Sequence, residues 1–168
     1  MKERILIAYA TYAGSTAQVA AALGETLCAY DVRVDVQPIS GHPKIDGYQA
    51  VLIGSAVQHG NWLPEAAEFV KANQGELKRL PVALFCVHIQ NLGDDETSRK
   101  NRLAYLDEVR GLLQPVAEGF FAGKFDRRGA ELLLPDLLAR IVPPLDFRNW
   151  KAIRGWGDFV YPMLTQEL

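Results

Sequence analysis

Five short apolar runs constrain the fold of this chain more than any other feature of its sequence. They are rich in Val, Ile, Leu and Phe, and they lie at 4–10, 32–38, 50–55, 81–87 and 116–122. Runs of this length and composition are typical of strands that helices cover on both faces, as in a parallel sheet. Stretches with helical periodicity separate or follow the runs, at 16–29, 64–73, 98–113 and 149–164.

This alternation of strands and helices predicts an α/β fold with a doubly wound sheet. Because crossovers between parallel strands are right-handed, the helices are expected on both faces of the sheet, which makes a three-layer sandwich. We expect a five-stranded parallel sheet in the order 2-1-3-4-5. The connection between the second and third strands carries Gly41, Pro43 and Gly47, so we expect at most one helical turn there.

An insertion interrupts the pattern at about 124–147, between the fifth strand and the last helix, where the fold needs only a short loop. Within it, 130–142 has Leu and Ile at helical spacing, and the prolines at 143 and 144 end the predicted helix. The length of 168 residues fits one compact domain. We therefore interpret 1–168 as a single domain with one insertion.

The loop after the first strand has the composition of a phosphate site. Ligands of doubly wound sheets bind beyond the carboxyl ends of the strands, where the strand order reverses. Three hydroxyl groups and a glycine at a helix N-terminus suit a phosphate monoester, because backbone N–H groups and the helix dipole favour an anion. The alternative is an ordinary helix cap that uses one of these hydroxyl groups. The loop has no Lys or Arg, and it consists of Thr11, Tyr12, Ala13, Gly14, Ser15 and Thr16.

Other functional classes lack the residues that they require. The loop contains neither G-x-x-x-x-G-K-[ST] nor G-x-G-x-x-G. The first and third strands end without the acidic residues of a receiver domain, and Leu92 stands six residues after Cys86, where a small phosphatase would have Arg. The net charge of −2 provides no long-range field for nucleic acid. We interpret Cys28 and Cys86, which lie in apolar stretches, as buried thiols in a reducing compartment.

From Ile7 to Ala20 the chain resembles the flavodoxin signature [LIV]-[LIVFY]-[FY]-x-[ST]-x-x-[AGC]-x-T-x-x-x-A, with Ala8 as the one departure. The resemblance implies a flavodoxin-like fold that binds FMN, with the first loop around the phosphate. It also implies that two further loops contact the isoalloxazine ring. The second loop would contribute Ser55, Ala56, Val57, Gln58, His59, Gly60, Asn61 and Trp62, and the third loop His88, Ile89, Gln90 and Asn91.

The second loop offers two rings, His59 and Trp62, that could stack on the flavin, and Gly60 would let a peptide rearrange beside it. Alternatively, Trp62 only begins the next helix. Among the histidines, His59 and His88 are the candidates for proton transfer near the ring. No residue is assigned as catalytic, and no metal site is expected.

The second loop, together with Asp146–Trp150, is similar to the flavodoxin-domain group that includes the menaquinone-dependent protoporphyrinogen IX dehydrogenases. This resemblance implies a cytoplasmic FMN-dependent oxidoreductase that passes electrons from an organic donor, such as a porphyrinogen, to a quinone. The alternative is a flavodoxin-type electron carrier without a substrate of its own. The weak net charge argues against a carrier, because such proteins usually present an acidic face to their partners.

The insertion is compatible with more than one kind of partner. Between Lys124 and Arg154, seven Lys or Arg stand against four acidic residues. One interpretation is a lid or lipid-facing element that makes peripheral membrane contact and gives a quinone or porphyrinogen access to the flavin. The other is a helix that packs onto the domain or across a homodimer.

Overall fold

The computed structural model describes residues 2–125, 134–141 and 145–166. The strands are β1 (Arg4–Ala10), β2 (Arg33–Pro38), β3 (Ala50–Gln58), β4 (Asn61–Trp62), β5 (Val82–His88), β6 (Ala117–Ala122), β7 (Lys124–Phe125) and β8 (Leu145–Asp146). The helices are α1 (Ser15–Cys28), α2 (Pro64–Ala72), α3 (Gln74–Leu77), α4 (Glu96–Ala104), α5 (Asp107–Arg110), α6 (Asp136–Ala139) and α7 (Trp150–Thr165). A 3-10 turn, Ile39–Gly41, is the one helical turn expected between β2 and β3.

The central sheet confirms the predicted α/β sandwich and its strand order. Its parallel strands run β2-β1-β3-β5-β6, which is the order 2-1-3-4-5 once the two-residue β4 is set aside. In register, Ile7 of β1 pairs with Val36 of β2 on one side and with Leu52 of β3 on the other. The order reverses between β1 and β3, so the carboxyl ends of these two strands form the switch point of the sheet.

Alternate residues of each inner strand face two separate apolar clusters. Ile7, Leu52 and Phe85 pack towards α1 and α7. Their neighbours in sequence, such as Ile53 and Leu84, pack towards α2 and α5. Because both faces are covered, both sets of positions must be apolar, which explains the unbroken apolar runs of the sequence.

Three sequence predictions differ from the structure in detail. The helix predicted at 98–113 is two helices, α4 and α5, since the chain turns at Tyr105 and Leu106 and buries both side chains. The third strand continues to Gln58. Of the two cysteines, Cys86 is buried, but Cys28 is exposed on the outer face of α1. Cys28 directly follows the buried Leu27 in an apolar stretch, but one step along an α-helix rotates the side chain by about 100°, which turns Cys28 outwards.

The insertion begins and ends in a two-stranded antiparallel stem, in which Lys124 of β7 pairs with Asp146 of β8. Of the helix predicted at 130–142, the structure has the short α6, whereas 130–133 and 142 lie outside the described residues. Leu137 and Ile141 are 80% and 73% exposed. Across the described ranges, no helix is long and apolar enough to cross a membrane.

Candidate functional site

The three loops singled out in the sequence meet at one edge of the sheet. Ala10, the last residue of β1, pairs with Ser55 of β3, and Ala56 pairs with Val87 of β5. Because the three strands are parallel neighbours, their carboxyl ends and the loops that follow lie side by side. The candidate site is therefore the region at the switch point that the loops after β1, β3 and β5 border.

The first loop leaves the N-terminus of α1 available to a ligand. Gly14 precedes the helix in the left-handed region, with φ 94°, and no side chain caps the helix. The hydroxyl oxygen of Thr11 instead accepts the Gly14 N–H at 2.9 Å, which holds the turn closed. The alternative of an ordinary side-chain cap from Ser15 or Thr16 is therefore not what the structure has. An N-terminus of this kind is an anion site by geometry and by dipole.

Thr16 is the second observation that points to a ligand at this loop. Its side chain is fully buried, at 0% exposure, in the first turn of α1. Its Oγ1 has no hydrogen-bond partner among the described residues. An unsatisfied buried hydroxyl costs about 1–3 kcal/mol, so a group that accepts its proton would remove that cost. A terminal phosphate, with its several acceptor oxygens, fits this donor set.

The second loop is a β-hairpin rather than an irregular loop. β3 continues to Gln58, turns through His59 and Gly60 with φ 52° and 77°, and pairs back through Asn61. A two-residue turn with both central residues at positive φ matches the right-handed twist of the strands, and Gly at the second position meets this requirement without strain. The tip at His59 and Gly60 is exposed. The Gln58 Nε2 is buried without a partner among the described residues.

Two residues of the predicted second loop are used inside the protein. Trp62 is only 5% exposed, and its Nε1–H donates to the Cys86 sulfur at 3.1 Å. Ser55 is also buried. Its hydroxyl accepts the Leu63 N–H and donates to the Ala56 carbonyl, so it is satisfied within the protein. The prediction that Trp62 stacks on the flavin is therefore wrong, because its ring packs below β3 and β5. Burial also raises the pKa of the Cys86 thiol to about 12, which excludes a thiolate nucleophile there.

The third loop begins at His88, whose ring is buried beneath it. The ring Nδ1 lies 2.6 Å from the Gln90 carbonyl oxygen, and since a carbonyl only accepts, Nδ1 carries the proton. The ring meets Tyr105 edge to face, with centroids 5.3 Å apart. Burial lowers the pKa of His88 below its usual value, so the ring is neutral at pH 7. His88 therefore holds the loop from below.

Residues of α4 and the turn after it complete this support. Arg102 donates to the Asn91 carbonyl at 3.0 Å and to the Gly93 carbonyl at 2.6 Å. The Tyr105 hydroxyl donates to the Gln90 carbonyl and accepts the Asn91 side-chain amide. Three carbonyl groups of the loop are thus engaged inwards, which leaves its N–H groups as the donors it can offer to a ligand. Sequence reasoning missed Arg102 and Tyr105, and only their i,i+3 spacing on one helical face hinted at a shared role.

Across the described ranges, no cluster of three or more His, Cys, Asp or Glu side chains could hold a metal ion.

Comparison with known proteins agrees with this geometry. A family model described as "Flavodoxin domain" matches residues 6–133. A flavodoxin from the domain Archaea is similar in structure, with a TM-score of 0.61 at 14% identity, over 97% of this chain and 99% of that one. Oxidised flavodoxin 1 from Bacillus cereus has a TM-score of 0.58 at 13% identity, over 93% of this chain and 95% of that one.

A larger protein contains a similar fold. Rubredoxin oxygen:oxidoreductase from Desulfovibrio gigas has a TM-score of 0.57 at 15% identity, and the match covers 97% of this chain. The chain spans only 37% of the length of that protein. At these identities the likeness shows the fold alone. No curated protein matches the chain in sequence.

Proposed function

Since the chain belongs to the flavodoxin domain family, we propose that it binds one FMN at the switch point of its sheet and works as a flavoprotein in electron transfer. The observation that carries this proposal is the first turn of α1, which has no side-chain cap and contains the buried, unpartnered hydroxyl of Thr16. In the proposal, Thr11, Ser15 and Thr16 bind the phosphate with the backbone N–H groups around them. The flavin, when bound, supplies the electron-accepting ring.

Some of the remaining predicted residues bind the ring in this proposal, and others support them from inside the protein. The hairpin tip at His59 and Gly60 borders one side of the ring, and the loop from Ile89 to Asn91 borders the pyrimidine edge with N–H donors. His88 and Trp62 shape the cleft from below, His88 through Gln90 and Trp62 through Cys86.

Equilibrium dialysis tests the cofactor and its site. The protein is expected to bind one FMN and to prefer it to FAD, because the donors of the first loop suit a terminal phosphate monoester, whereas the phosphates of FAD are bridging. Changing Thr11, Ser15 and Thr16 together to Ala should weaken FMN binding roughly 100-fold or more, since each hydrogen bond to a charged acceptor contributes about 1.5–3 kcal/mol.

Thr26→Ala is the matched control for this substitution. Thr26 lies on the same helix, and its hydroxyl donates to the Ala22 carbonyl at 2.9 Å, away from the loop. Equal affinity of the triple variant and the control would refute the phosphate site. A wild-type protein that takes up no FMN would refute the proposed function.

The finer proposal is an FMN-dependent oxidoreductase of the protoporphyrinogen dehydrogenase type, with a lipid-soluble quinone as electron acceptor. Its support is the insertion, where Leu137, Leu138 and Ile141 are exposed beside the basic Arg140. Exposed apolar side chains next to basic ones favour contact with a lipid surface or an apolar small molecule. The low net charge also favours a small neutral partner over a charged protein.

A carrier function is the second candidate, because the match to the archaeal flavodoxin extends over nearly the whole of both chains. Anaerobic assays of the FMN-loaded protein separate the two functions. The dehydrogenase proposal expects catalytic turnover with a porphyrinogen as donor and a quinone as acceptor. A carrier would exchange electrons with reductases but would not turn over the porphyrinogen.

A further inference from the structure

Arg148 joins the insertion to the helix that carries the candidate phosphate site. It follows the stem strand β8, and its side chain is only 9% exposed. Its guanidinium donates from Nε and Nη2 to the two carboxylate oxygens of Asp146, at 2.8 and 2.7 Å, and from Nη1 to the side-chain oxygen of Gln18. The same group lies over the Trp150 ring, 4.7 Å from its centroid. Gln18 belongs to the first turn of α1, which also contains Thr16.

The other strand of the stem reaches the same turn. The Phe147 N–H donates to the Gly123 carbonyl at 3.2 Å, so the two ends of the insertion are bound to each other at its base. A methyl group at Gly123 would lie 3.5 Å from the Ser15 hydroxyl oxygen, which places the start of the stem directly against the first loop. The Gly123 N–H donates to the His88 carbonyl at 2.8 Å, which extends the contact to the third loop.

The charged groups of this junction keep their charges at neutral pH. The hydrogen bonds that Arg148 donates to Asp146 lower the pKa of that carboxyl to about 2. The same pair raises the pKa of Arg148 above its usual value. A planar guanidinium can make a bidentate bond to Asp146, a third bond to Gln18 and a stacking contact at once, which an ammonium group cannot.

From these contacts we infer that Arg148 is a positioning residue that couples the stem of the insertion to the occupancy of the phosphate site. A ligand that restricts the motion of the first turn of α1 also restricts Gln18. Because Arg148 is bonded to both Gln18 and Asp146, the motion of β8 is restricted as well. By linkage, the coupling is reciprocal, so a well-placed stem also favours the ligand-binding arrangement of the turn. This inference rests on the proposed function, since it requires that FMN binds at the first loop.

The test compares FMN affinity and amide hydrogen exchange in the full-length protein and its variants. In the wild type, FMN is expected to slow exchange in 145–149, although none of these residues belongs to the proposed phosphate site. Arg148→Gln should weaken FMN binding about fivefold or more and abolish the effect of FMN on exchange in 145–149. Gln18→Ala, which removes the other partner of the contact, should reproduce both effects.

Arg154→Gln is the matched control, because Arg154 also joins α7 to α1 but through an exposed ion pair with Glu25 at 3.0 Å. Exposed pairs contribute little, so its FMN affinity should stay within about twofold of the wild type. If FMN slows exchange in 145–149 equally in wild type, Arg148→Gln and Gln18→Ala, the coupling is refuted while FMN binding stands. If the wild type itself binds no FMN, the proposed function fails, and the coupling fails with it.

Discussion

At the scale of single residues, a substitution of Thr16 distinguishes the contribution of its hydroxyl to stability from its contribution to ligand binding. Its buried hydroxyl makes no hydrogen bond to the described residues, so the folded protein gains nothing from it. Thr16→Val keeps the shape and removes the hydroxyl. The free energy of unfolding without ligand is therefore expected to stay equal or to rise, while FMN affinity falls by about tenfold or more. Chemical denaturation and FMN titration measure the two quantities.

The corresponding change at Thr26 should behave in the opposite way. Its hydroxyl bonds to the Ala22 carbonyl, so Thr26→Val removes an existing contact and leaves FMN affinity unchanged. A loss of stability in Thr16→Val, without a loss of affinity, would show that the Thr16 hydroxyl has a structural partner instead of a ligand.

His88 gives the stability of the protein a dependence on pH. Burial lowers its pKa in the folded state, so the folded protein favours the neutral ring. The stabilisation is complete above the unfolded-state pKa of about 6.5 and is lost as the pH falls towards the lower folded-state value. Between about pH 7 and pH 5, the free energy of unfolding should fall, with a slope from His88 of at most about 1.4 kcal/mol per pH unit.

The measurement is urea unfolding at several pH values for the wild type, His88→Asn and His42→Asn. His88→Asn should be less stable at pH 7, but its stability should vary less with pH in this range. His42→Asn is the control for the loss of a histidine at an exposed position. Parallel curves for the wild type and His88→Asn would mean that His88 takes up no proton on unfolding.

At the scale of secondary-structure elements, the insertion has exposed apolar side chains that folding does not require. Leu137 lies in α6 and Ile141 lies two residues after it, and both side chains are mostly exposed. If they contact a lipid-soluble quinone or the surface that holds it, Leu137→Ser combined with Ile141→Ser should raise the KM for a long-chain quinone. FMN content and reduction by dithionite should not change. Steady-state kinetics with a long-chain and a water-soluble quinone measure the difference.

Phe159→Ser is the control for this prediction, because Phe159 is an exposed apolar residue on α7, outside the insertion. Its kinetics should match those of the wild type with both quinones. Unchanged KM values in the double variant would exclude α6 as the access surface. Dissociation of a dimer in the double variant would instead assign α6 to a homodimer interface.

The β3–β4 hairpin divides the residues of the predicted second loop between two positions in the structure. His59 and Gly60 form the exposed tip of the hairpin, where the turn needs positive φ at both positions. Two residues later the chain has turned back, and pairing of Asn61 with Gln58 directs Trp62 into the core. One contiguous motif thus divides into an exposed tip and a structural anchor.

At the scale of the whole molecule, charge is distributed unevenly although the net charge is small. Of the 18 Lys and Arg, seven lie between Lys124 and Arg154, where only four of the 20 acidic residues lie. The remainder of the chain is therefore acidic and the stretch from Lys124 to Arg154 basic, although the insertion itself, at 124–147, has four residues of each sign. The excess of positive charge lies at Arg148, Lys151 and Arg154, and the separation is too small to give strong long-range steering.

The sequence alone determined the α/β architecture and the position of the first loop at the switch point of the sheet. Strand-length apolar runs, each buried on two faces, leave few ways to arrange a parallel sheet, and short right-handed connections select among them. The hydroxyl groups and Gly14 of the first loop could be identified because they are contiguous in the chain and follow a strand at the switch point. Such features depend on local spacing, which a sequence displays directly.

Only the tertiary structure decided which side chains face the cleft and which support it. Three hydrogen bonds join residues that are 11 to 130 positions apart in the chain. They link Trp62 to Cys86, Arg102 to Asn91 and Arg148 to Gln18. No local pattern marks these pairs, because each depends on where the strands and helices place their side chains after packing. The sequence thus indicated which loops meet at the switch point, whereas long-range packing decided what each residue of those loops can do.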